Sequence, residues 1–265
     1  DGGLYAEMVQ NRSFEFDQID NPQYHPLYAW EKVEEGARVQ LQIETAQPYH
    51  ANSPHYLVME TKGNGRAGIA NLGFGDGFYL EKGETYLFTC YARTLNEQEC
   101  LLSVSVEEEG ADCCAPASFP VRGTEWKKYE LRLTAERTTA AGRLLLTLSE
   151  AGRLALDYIS LFPEKTFLGR KNGLRRDIAQ LLCDMKPKFM RFPGGCLVHD
   201  GSLNPSDRDS MYRWKNTLGE PENRPARRSN WGYNQTLGLG YYEYFQFCED
   251  IGAKPLPVLP GGYDP

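Results

Sequence analysis

Arg191 is the residue whose type and position most directly suggest chemistry. It lies in a short apolar segment, Phe189–Phe192, which is predicted to be a strand and runs into a Pro-Gly-Gly turn at 193–195. Parallel α/β layers and barrels form their active sites at the carboxyl ends of the strands, where this arginine is expected. Arg191 is therefore a candidate ligand-binding residue. The alternative is an arginine that forms an ion pair at a strand end, beside glycines that only make a tight turn.

The segment after this turn, from Gly201 to Gly240, is long for a connection and combines aromatic rings with basic groups. It contains Tyr212, Trp214, Trp231 and Tyr233 among Arg213, Arg224, Arg227 and Arg228. Flat rings beside hydrogen-bond donors suit a sugar, which has an apolar C–H face and a rim of hydroxyls. Long loops usually carry function. The segment is therefore a candidate for carbohydrate recognition, and the alternative is that its rings only pack the loop onto the domain.

Motifs of other catalytic classes are absent from the sequence. There is no Ser nucleophile elbow, P-loop or dinucleotide fingerprint, and the glycines of 73–77 lie between predicted strands. His199 and Asp200 are adjacent, so they do not face one another as a catalytic pair would. Glycoside hydrolysis needs two carboxylates flanking the scissile bond, and neither can be assigned here. The sequence thus offers candidate binding residues and no assignable catalytic residue.

Two carboxylates at opposite ends of the predicted β region could hold a metal. Glu15 lies at the start of this region, and Asp157 opens its last strand. If these ends lie side by side, the carboxylates and nearby carbonyls could bind a structural calcium ion. The alternative is a pair of surface carboxylates. No cofactor is expected for catalysis.

The elements that position these residues fall into two classes. Residues 16–163 contain at least seven short runs of alternating apolar and polar residues between Gly, Asn, Asp and Pro clusters, which predicts a β-sandwich. The run Val39–Glu44, for example, places three apolar side chains on one face. Before it, Leu4, Met8 and Val9 recur at helical spacing, so residues 4–14 are predicted to form a short amphipathic helix.

From residue 164 the pattern changes to alternating helices and strands. Residues 173–185 carry an apolar stripe that ends at Lys186–Pro187, which predicts a helix. A strand at 189–192, the long loop, a helix from Tyr241 and a strand from Pro255 follow. Strand, helix and strand make a parallel βαβ unit of an α/β layer or barrel. Residues 164–265 are predicted to be an incomplete one, because about two such units cannot bury both faces of a parallel sheet.

The composition narrows the classes of partner. The chain has 265 residues, of which 41% are hydrophobic and 25% charged, as in ordinary folded proteins. A net charge of −7 argues against nucleic acid and favours neutral or cationic ligands. No apolar run approaches the roughly 20 residues that span a bilayer. The seven cysteines are an odd number without zinc-like spacing, so a disulfide framework is not predicted.

Four ordered motifs resemble the α-L-arabinofuranosidases of glycoside hydrolase family 51. They are RFPGGC at 191–196, YRWKNTLG at 212–219, WGY at 231–233 and EYFQFCEDIGA at 243–253. The start of the chain, GGLYAEMVQNRSFE at 2–15, also resembles that family. Together these motifs extend the resemblance over nearly the whole chain.

The resemblance also has a second part and implies a fold. Thr85-Tyr86 and the segment DYISL at 157–161 are similar to the jelly roll of family 4 carbohydrate-binding modules. In this branch of family 51 that jelly roll interrupts a (β/α)8 TIM barrel. The resemblance therefore implies a mixed fold, with residues 1–15 as a short helical remnant of the barrel start, 16–163 as the module-like sandwich and 164–265 as a partial barrel.

The resemblance further implies a function for the site residues. Arg191 matches the arginine that supports the nucleophile, and Cys196 stands where relatives place Asn or Cys beside the arabinose ring. Trp214 and Trp231 match aromatic residues of the pocket or of the leaving-group side. The two catalytic glutamates of the family have no counterpart in this chain. The expected function is that of the N-terminal part of a retaining arabinofuranosidase, inactive alone, acting on arabinose-containing plant polysaccharides or oligosaccharides.

A second class of function is also open. The chain could serve only as a carbohydrate-binding module, with Tyr79, Tyr91 and Trp126 as candidate platforms, or as a structural spacer without binding. Relatives often form oligomers, so a homo-oligomer is a further expectation. An extracellular or periplasmic location is favoured over a cytoplasmic one.

Overall fold

The computed structural model describes residues 2–204, 207 and 211–261, which form two compact units. The sandwich unit comprises Glu7–Glu15 and Pro26–Glu164. The second unit, here called the α/β unit, comprises Asp1–Ala6, Phe16–His25 and Lys165–Pro265. Each unit therefore draws on segments that are distant in sequence.

The sandwich unit is built from twelve strands. They are β1 (Trp30–Glu35), β2 (Arg38–Glu44), β3 (Tyr56–Lys62), β4 (Arg66–Asn71), β5 (Phe78–Leu80), β6 (Thr85–Thr94), β7 (Cys100–Glu108), β8 (Ala111–Asp112), β9 (Ala117–Val121), β10 (Lys127–Thr134), β11 (Thr139–Leu148) and β12 (Gly152–Pro163). One sheet has the order β1-β4-β11-β7-β8, with β5 paired to β11 and β9 paired to β7, and the other has the order β10-β6-β12-β3-β2. All of these pairs are antiparallel.

The two sheets enclose one apolar core. Alternation along β7 turns Leu102, Val104 and Val106 inward, and alternation along β6 turns Phe88 and Cys90 inward, all without solvent exposure. Burying a large apolar side chain contributes about 1.5–3 kcal/mol, so this core supplies most of the driving force for the unit. The predicted β-rich, sandwich-like architecture is thus confirmed.

The predicted amphipathic helix over residues 4–14 is wrong. A single 3-10 turn covers Gly2–Leu4, and the chain then runs without regular helix. In the α/β unit, Ala6 N–H donates to Gly173 O at 3.2 Å. In the sandwich unit, Met8 N–H donates to Leu161 O at 3.0 Å. Backbone partners some 150 residues away therefore replace the local hydrogen bonds of a helix.

The α/β unit contains three helices and four strands among the described residues. They are α1 (Arg176–Asp184), β13 (Phe189–Phe192), α2 (Gly195–His199), β14 (Arg227–Arg228), β15 (Asn234–Gln235), α3 (Tyr241–Ile251) and β16 (Lys254–Pro257). β13 and β16 are parallel, in the register Phe189↔Lys254 to Phe192↔Pro257, and β14 and β15 form a short hairpin. The predicted βαβ unit is present, but one parallel pair does not establish a barrel.

Helix α3 packs on the end of β13. The Phe192 ring stacks on Tyr244 with centroids 4.3 Å apart and meets Tyr241 edge-on at 5.3 Å. Glu243 accepts from the Gly240 amide at 2.8 Å, which caps the start of the helix, and Gly252 ends it in the left-handed conformation, with φ of 69°. These contacts fix the carboxyl end of β13, where the candidate site begins.

Helix α1 buries less of its apolar stripe than its sequence predicts. Ala179 is fully buried, whereas Leu181 and Met185 are 65% and 74% exposed. No helix among residues 2–204, 207 and 211–261 is long and apolar enough to cross a membrane.

Candidate functional site

Arg191 extends into solvent from the end of β13. It is exposed, it lies opposite Leu256 in the parallel pair, and no residue in the described ranges forms a hydrogen bond or ion pair with it. Its Nη2 atom lies 3.5 Å from the point that a Cβ on Gly195 would occupy, so the glycine leaves the guanidinium room. The alternative of an ion pair at the strand end is therefore not what this structure contains, and the positive charge is available to a ligand.

Cys196 lies on helix α2, directly after Gly195. Its thiol is free and exposed, whereas the other six cysteines are buried or half-buried and also free. The neighbours Leu197 and Val198 are buried, and they anchor α2 in the core that contains Phe192. The helix therefore presents Cys196 outward while its opposite side is packed.

The two candidate tryptophans lie on separate parts of the long loop. Trp214 opens a 3-10 helix, Trp214–Thr217, and is 38% exposed, and Trp231 is 60% exposed in the turn between β14 and β15. Arg228 joins this hairpin to the end of α2 through an ion pair with Asp200 at 3.3 Å. In the described part of the chain, Arg191, Cys196, Trp214 and Trp231 make no hydrogen bonds or ion pairs with one another. Their role in binding stays a prediction.

A buried ion pair holds the loop on helix α3. Arg224 and Glu243 form two hydrogen bonds, Nη1 to Oε2 at 3.0 Å and Nη2 to Oε1 at 2.7 Å, with side chains only 2% and 9% exposed. The same guanidinium donates to the carbonyls of Gly219, Leu237 and Gly238. A planar guanidinium can satisfy several fixed acceptors at once, so Arg224 fastens both ends of the loop segment between 219 and 238.

A second arginine supports the hairpin from within. Arg227 is buried, donates to Gln235 Oε1 at 2.8 Å and lies over the Tyr212 ring at 5.8 Å. Burial raises the pKa of Tyr212 above its ordinary value, and burial also raises the pKa of Tyr241 to about 12. Both hydroxyls stay protonated at neutral pH, so Tyr241 can donate a hydrogen bond, and both rings pack in the core of the unit. Tyr241 donates to Val258 O at 2.5 Å.

Sequence reasoning missed the support from residues 16–25. Asn21 Nδ2 donates to Gly232 O at 2.9 Å, and Asn234 Nδ2 donates to Asp20 Oδ2 at 2.8 Å. Residues 16–25 thus hold the turn that carries Trp231. Asp20 and Asn21 are about 210 residues from their partners in sequence. No local pattern could therefore have predicted these contacts.

The predicted metal pair lies in the sandwich unit. Both Glu15 oxygens face His55, accepting from its backbone N–H at 2.9 Å and lying 2.8 Å from its Nδ1. Asp157 is 1% exposed, and its Oδ1 accepts from Tyr158 N–H at 2.6 Å. Burial, opposed by the Tyr158 hydrogen bond and reinforced by Glu15, raises the pKa of Asp157 well above its ordinary value. Within the described ranges no three His, Cys, Asp or Glu side chains cluster as metal ligands, so calcium stays a prediction.

The aromatic residues that the sequence offers as sandwich platforms differ in availability. Tyr79 is 58% exposed. Tyr91 stacks on Tyr49 with centroids 3.8 Å apart, and Trp126 donates from its indole N–H to Gln47 O at 3.1 Å. Tyr91 and Trp126 are therefore partly committed to packing.

The chain is similar to proteins of known activity over almost its whole length. A family model described as the α-L-arabinofuranosidase 1 domain matches residues 181–265. An extracellular exo-α-L-arabinofuranosidase of Streptomyces chartreusis is 41% identical over 98% of this chain and 31% of its own length. α-L-Arabinofuranosidase 1 of Arabidopsis thaliana is 32% identical, over 98% of this chain and 38% of its length. The chain thus spans about a third of these curated relatives.

A solved structure agrees with the sequence matches. An arabinose-bound family 51 α-L-arabinofuranosidase superposes with a TM-score of 0.85 and 29% identity, and the match covers 100% of this chain and 42% of that one. The fold and the sequence comparisons point to one family, although each relative is much longer. The chain therefore belongs to the family 51 α-L-arabinofuranosidases and corresponds to the N-terminal part of their sequences.

Proposed function

We propose that this chain is the N-terminal part of a retaining α-L-arabinofuranosidase that releases terminal α-L-arabinofuranosyl units from arabinose-containing polysaccharides or oligosaccharides. The observation that carries the proposal is the 41% identity to an exo-α-L-arabinofuranosidase over 98% of the chain. The exposed Arg191 at the end of a parallel strand supports it, because such strand ends build the active sites of α/β enzymes.

In this proposal the chain positions the substrate and does not break the bond. Arg191 offers a fixed positive charge for hydrogen bonds to a carboxylate or to sugar hydroxyls, and Cys196 lies on the helix α2 that follows. Trp214 and Trp231 offer exposed rings against which the C–H faces of a sugar can pack. A retaining mechanism needs two further carboxylates, one as nucleophile and one as acid and then base. We propose that these come from elsewhere in the whole enzyme.

The finer fold belongs to the same proposal. We infer that the sandwich is a jelly roll inserted into a (β/α)8 barrel and that β13 and β16 are strands of this barrel. Phe189 and Leu256, on these strands, are 60% and 49% exposed. Leu181 on α1 and Met185 just after it are 65% and 74% exposed. Further strands and helices, like those in the longer relatives, would cover this apolar surface. Reduced hydrogen exchange of residues 176–192 in the full-length enzyme, relative to this chain alone, is the expected result.

The test is hydrolysis of a chromogenic α-L-arabinofuranoside by the full-length protein. Turnover is expected, with retention of configuration in the first-formed product, whereas residues 1–265 alone should give none. Arg191→Lys keeps the charge but loses the planar fork, and we expect it to lower kcat/KM at least tenfold. Arg176→Lys, on the exposed side of α1, is the matched control and should leave kcat/KM unchanged. If the full-length protein hydrolyses no arabinofuranoside at any pH tested, the proposal is wrong.

A second proposal is that the sandwich binds polysaccharide without catalysis, or only spaces the catalytic parts. The exposed Tyr79 favours binding, and the packed state of Tyr91 and Trp126 favours a spacer. Affinity electrophoresis in gels that contain arabinan or xylan separates the two, because a spacer is not retarded. We also propose an extracellular location, since the Streptomyces relative is described as extracellular.

A further inference from the structure

The outward face of the seven-stranded sheet carries a row of small polar residues that the proposed hydrolysis does not use. Because side chains alternate along a strand, the inward Leu102, Val104 and Leu146 leave the intervening residues facing outward. Four of these outward residues are direct cross-strand neighbours: Gly68 on β4, Thr147 on β11, Ser103 on β7 and Ser118 on β9. Three hydroxyls and one residue without a side chain thus line up across four strands.

An open groove of about 310 Å³ lies against this face. Its lining includes Ser103 and Thr147 from the row, the charged residues Arg66 and Glu107, and the ring of Pro116. Sites for small ligands usually have volumes of about 300–1,000 Å³, so the groove can take one or two sugar-sized units.

The charged pair in the groove has unused hydrogen-bonding capacity. Arg66 and the 7%-exposed Glu107 form an ion pair through Nη2 and Oε1, and Ser105 Oγ donates to the same Oε1 at 2.9 Å. No residue among those described donates to the second carboxylate oxygen, Oε2. Thr147 Oγ1 accepts from Arg66 Nε at 3.4 Å, so its own O–H remains available as a donor. An acceptor and a donor therefore lie on side chains that contact the same Arg66 guanidinium.

This arrangement selects one class of ligand. Glu107 and Asp112 oppose an anion, and the Arg66 guanidinium opposes a cation. An apolar ligand would leave the buried polar groups unpaired, which is costly. A pair of neighbouring hydroxyls fits, because one can donate to Glu107 Oε2 while the other accepts from Thr147.

We propose that this groove binds a neutral polyhydroxylated ligand, one or two units of a saccharide chain. The C–H face of the sugar packs on Pro116, and its hydroxyls bond to Glu107 and Thr147. Ser103 and Thr147 lie on adjacent strands about 4.8 Å apart, so both hydroxyls of the groove are within reach of a single bound chain. The proposal deepens the assignment to carbohydrate but does not depend on hydrolysis, since it concerns a different unit of the chain.

The test is an NMR titration of the 265-residue chain with arabinotriose and with xylotriose. We expect amide shifts in β7 and β11 on addition of at least one trisaccharide. Thr147→Val and Glu107→Gln should each weaken binding about three- to tenfold, because each removes one hydrogen bond to the sugar. Lys82→Ala is the control, since Lys82 is exposed in the sandwich unit and does not line the groove. Amide spectra of each variant establish that it is folded.

Three outcomes would overturn the proposal. The first is that neither trisaccharide shifts the wild-type spectrum. The second is that the folded Thr147→Val and Glu107→Gln variants both bind as tightly as wild type, and the third is that Lys82→Ala alone loses binding. Hydrolysis by the full-length protein is measured separately. A negative titration would therefore not contradict the hydrolase proposal, and absence of hydrolysis would not contradict saccharide binding in this groove.

Discussion

The buried pair of Arg224 and Glu243 is the point at which one substitution should release the candidate site. Glu243→Gln keeps the shape of the side chain but removes its charge and turns an amide group toward the guanidinium. The pair makes two hydrogen bonds of 3.0 and 2.7 Å, and both side chains are nearly inaccessible. Breaking a buried pair by removing one partner costs about 3–5 kcal/mol. The carbonyls of Gly219, Leu237 and Gly238 still accept from Arg224. We therefore expect the free energy of unfolding to fall by about 3 kcal/mol, the lower end of this range.

The assay is urea unfolding followed by pulsed hydrogen exchange, read on peptides from residues 219–251. This readout assigns the transition to the loop and α3 rather than to the sandwich unit. Arg224→Met and the double variant complete a cycle, and the two single costs should exceed the double cost by at least about 1 kcal/mol. Asp177→Asn is the control, because its pair with Arg175 is exposed and should contribute less than about 1 kcal/mol.

Two results would refute this reasoning. One is an unchanged midpoint for Glu243→Gln in peptides 219–251, which would mean that the pair does not hold the loop. The other is a double variant whose cost equals the sum of the single costs, because additive costs mean that the two side chains do not interact in the folded state.

The remaining predictions concern protonation, metal and thiol chemistry. The folded state holds the proton of Asp157 more tightly than the unfolded chain does, so its contribution to stability is full below the unfolded pKa and declines as pH rises toward the folded pKa. Asp157→Asn should therefore raise the urea midpoint at pH 7 and change it little near pH 3, and a lower midpoint at pH 7 without calcium would contradict this. If Glu15 and Asp157 bind calcium, the ion should raise the melting temperature of wild type but not of Asp157→Asn; equal shifts would exclude that site. Maleimide should label Cys196 first, before the half-buried Cys183, and Cys196→Ser should abolish the fast phase seen by intact-mass spectrometry; a fast phase that persists would show that another thiol is accessible.

The strands of the sandwich could be predicted because their signal is local. In β2, Val39, Leu41 and Ile43 alternate with polar residues, and the structure turns them toward the core. Helix α3 is similarly local, since Gly240 and Gly252 mark its two ends and the apolar residues between them recur at helical spacing. Both kinds of element are specified by residues within about ten positions of one another.

The first segment could not be predicted in this way. Leu4, Met8 and Val9 have helical spacing, yet Tyr5 forms a β-bridge with Leu174, and Met8 donates to Leu161. Both partners lie more than 150 residues further along the chain. A pattern read over a few residues contains no information about them, and tertiary hydrogen bonds outweigh the weak intrinsic preference of such a short helix.

The candidate site also contains residues that the sequence predicts and residues that only the fold reveals. The strand-end position of Arg191 and the aromatic loop around Trp214 and Trp231 mark these residues locally, and the family resemblance adds Cys196. The structure leaves all four at least partly exposed. The groups that hold the loop are of the same chemical types, and nothing local distinguishes a buried Arg224 from an exposed Arg191. Burial is a property of the whole fold: Arg224 is inaccessible because Glu243 and three carbonyls converge on it. For this chain, the sequence therefore points to the residues that we propose to face a ligand, while the residues that position them become visible only in the structure.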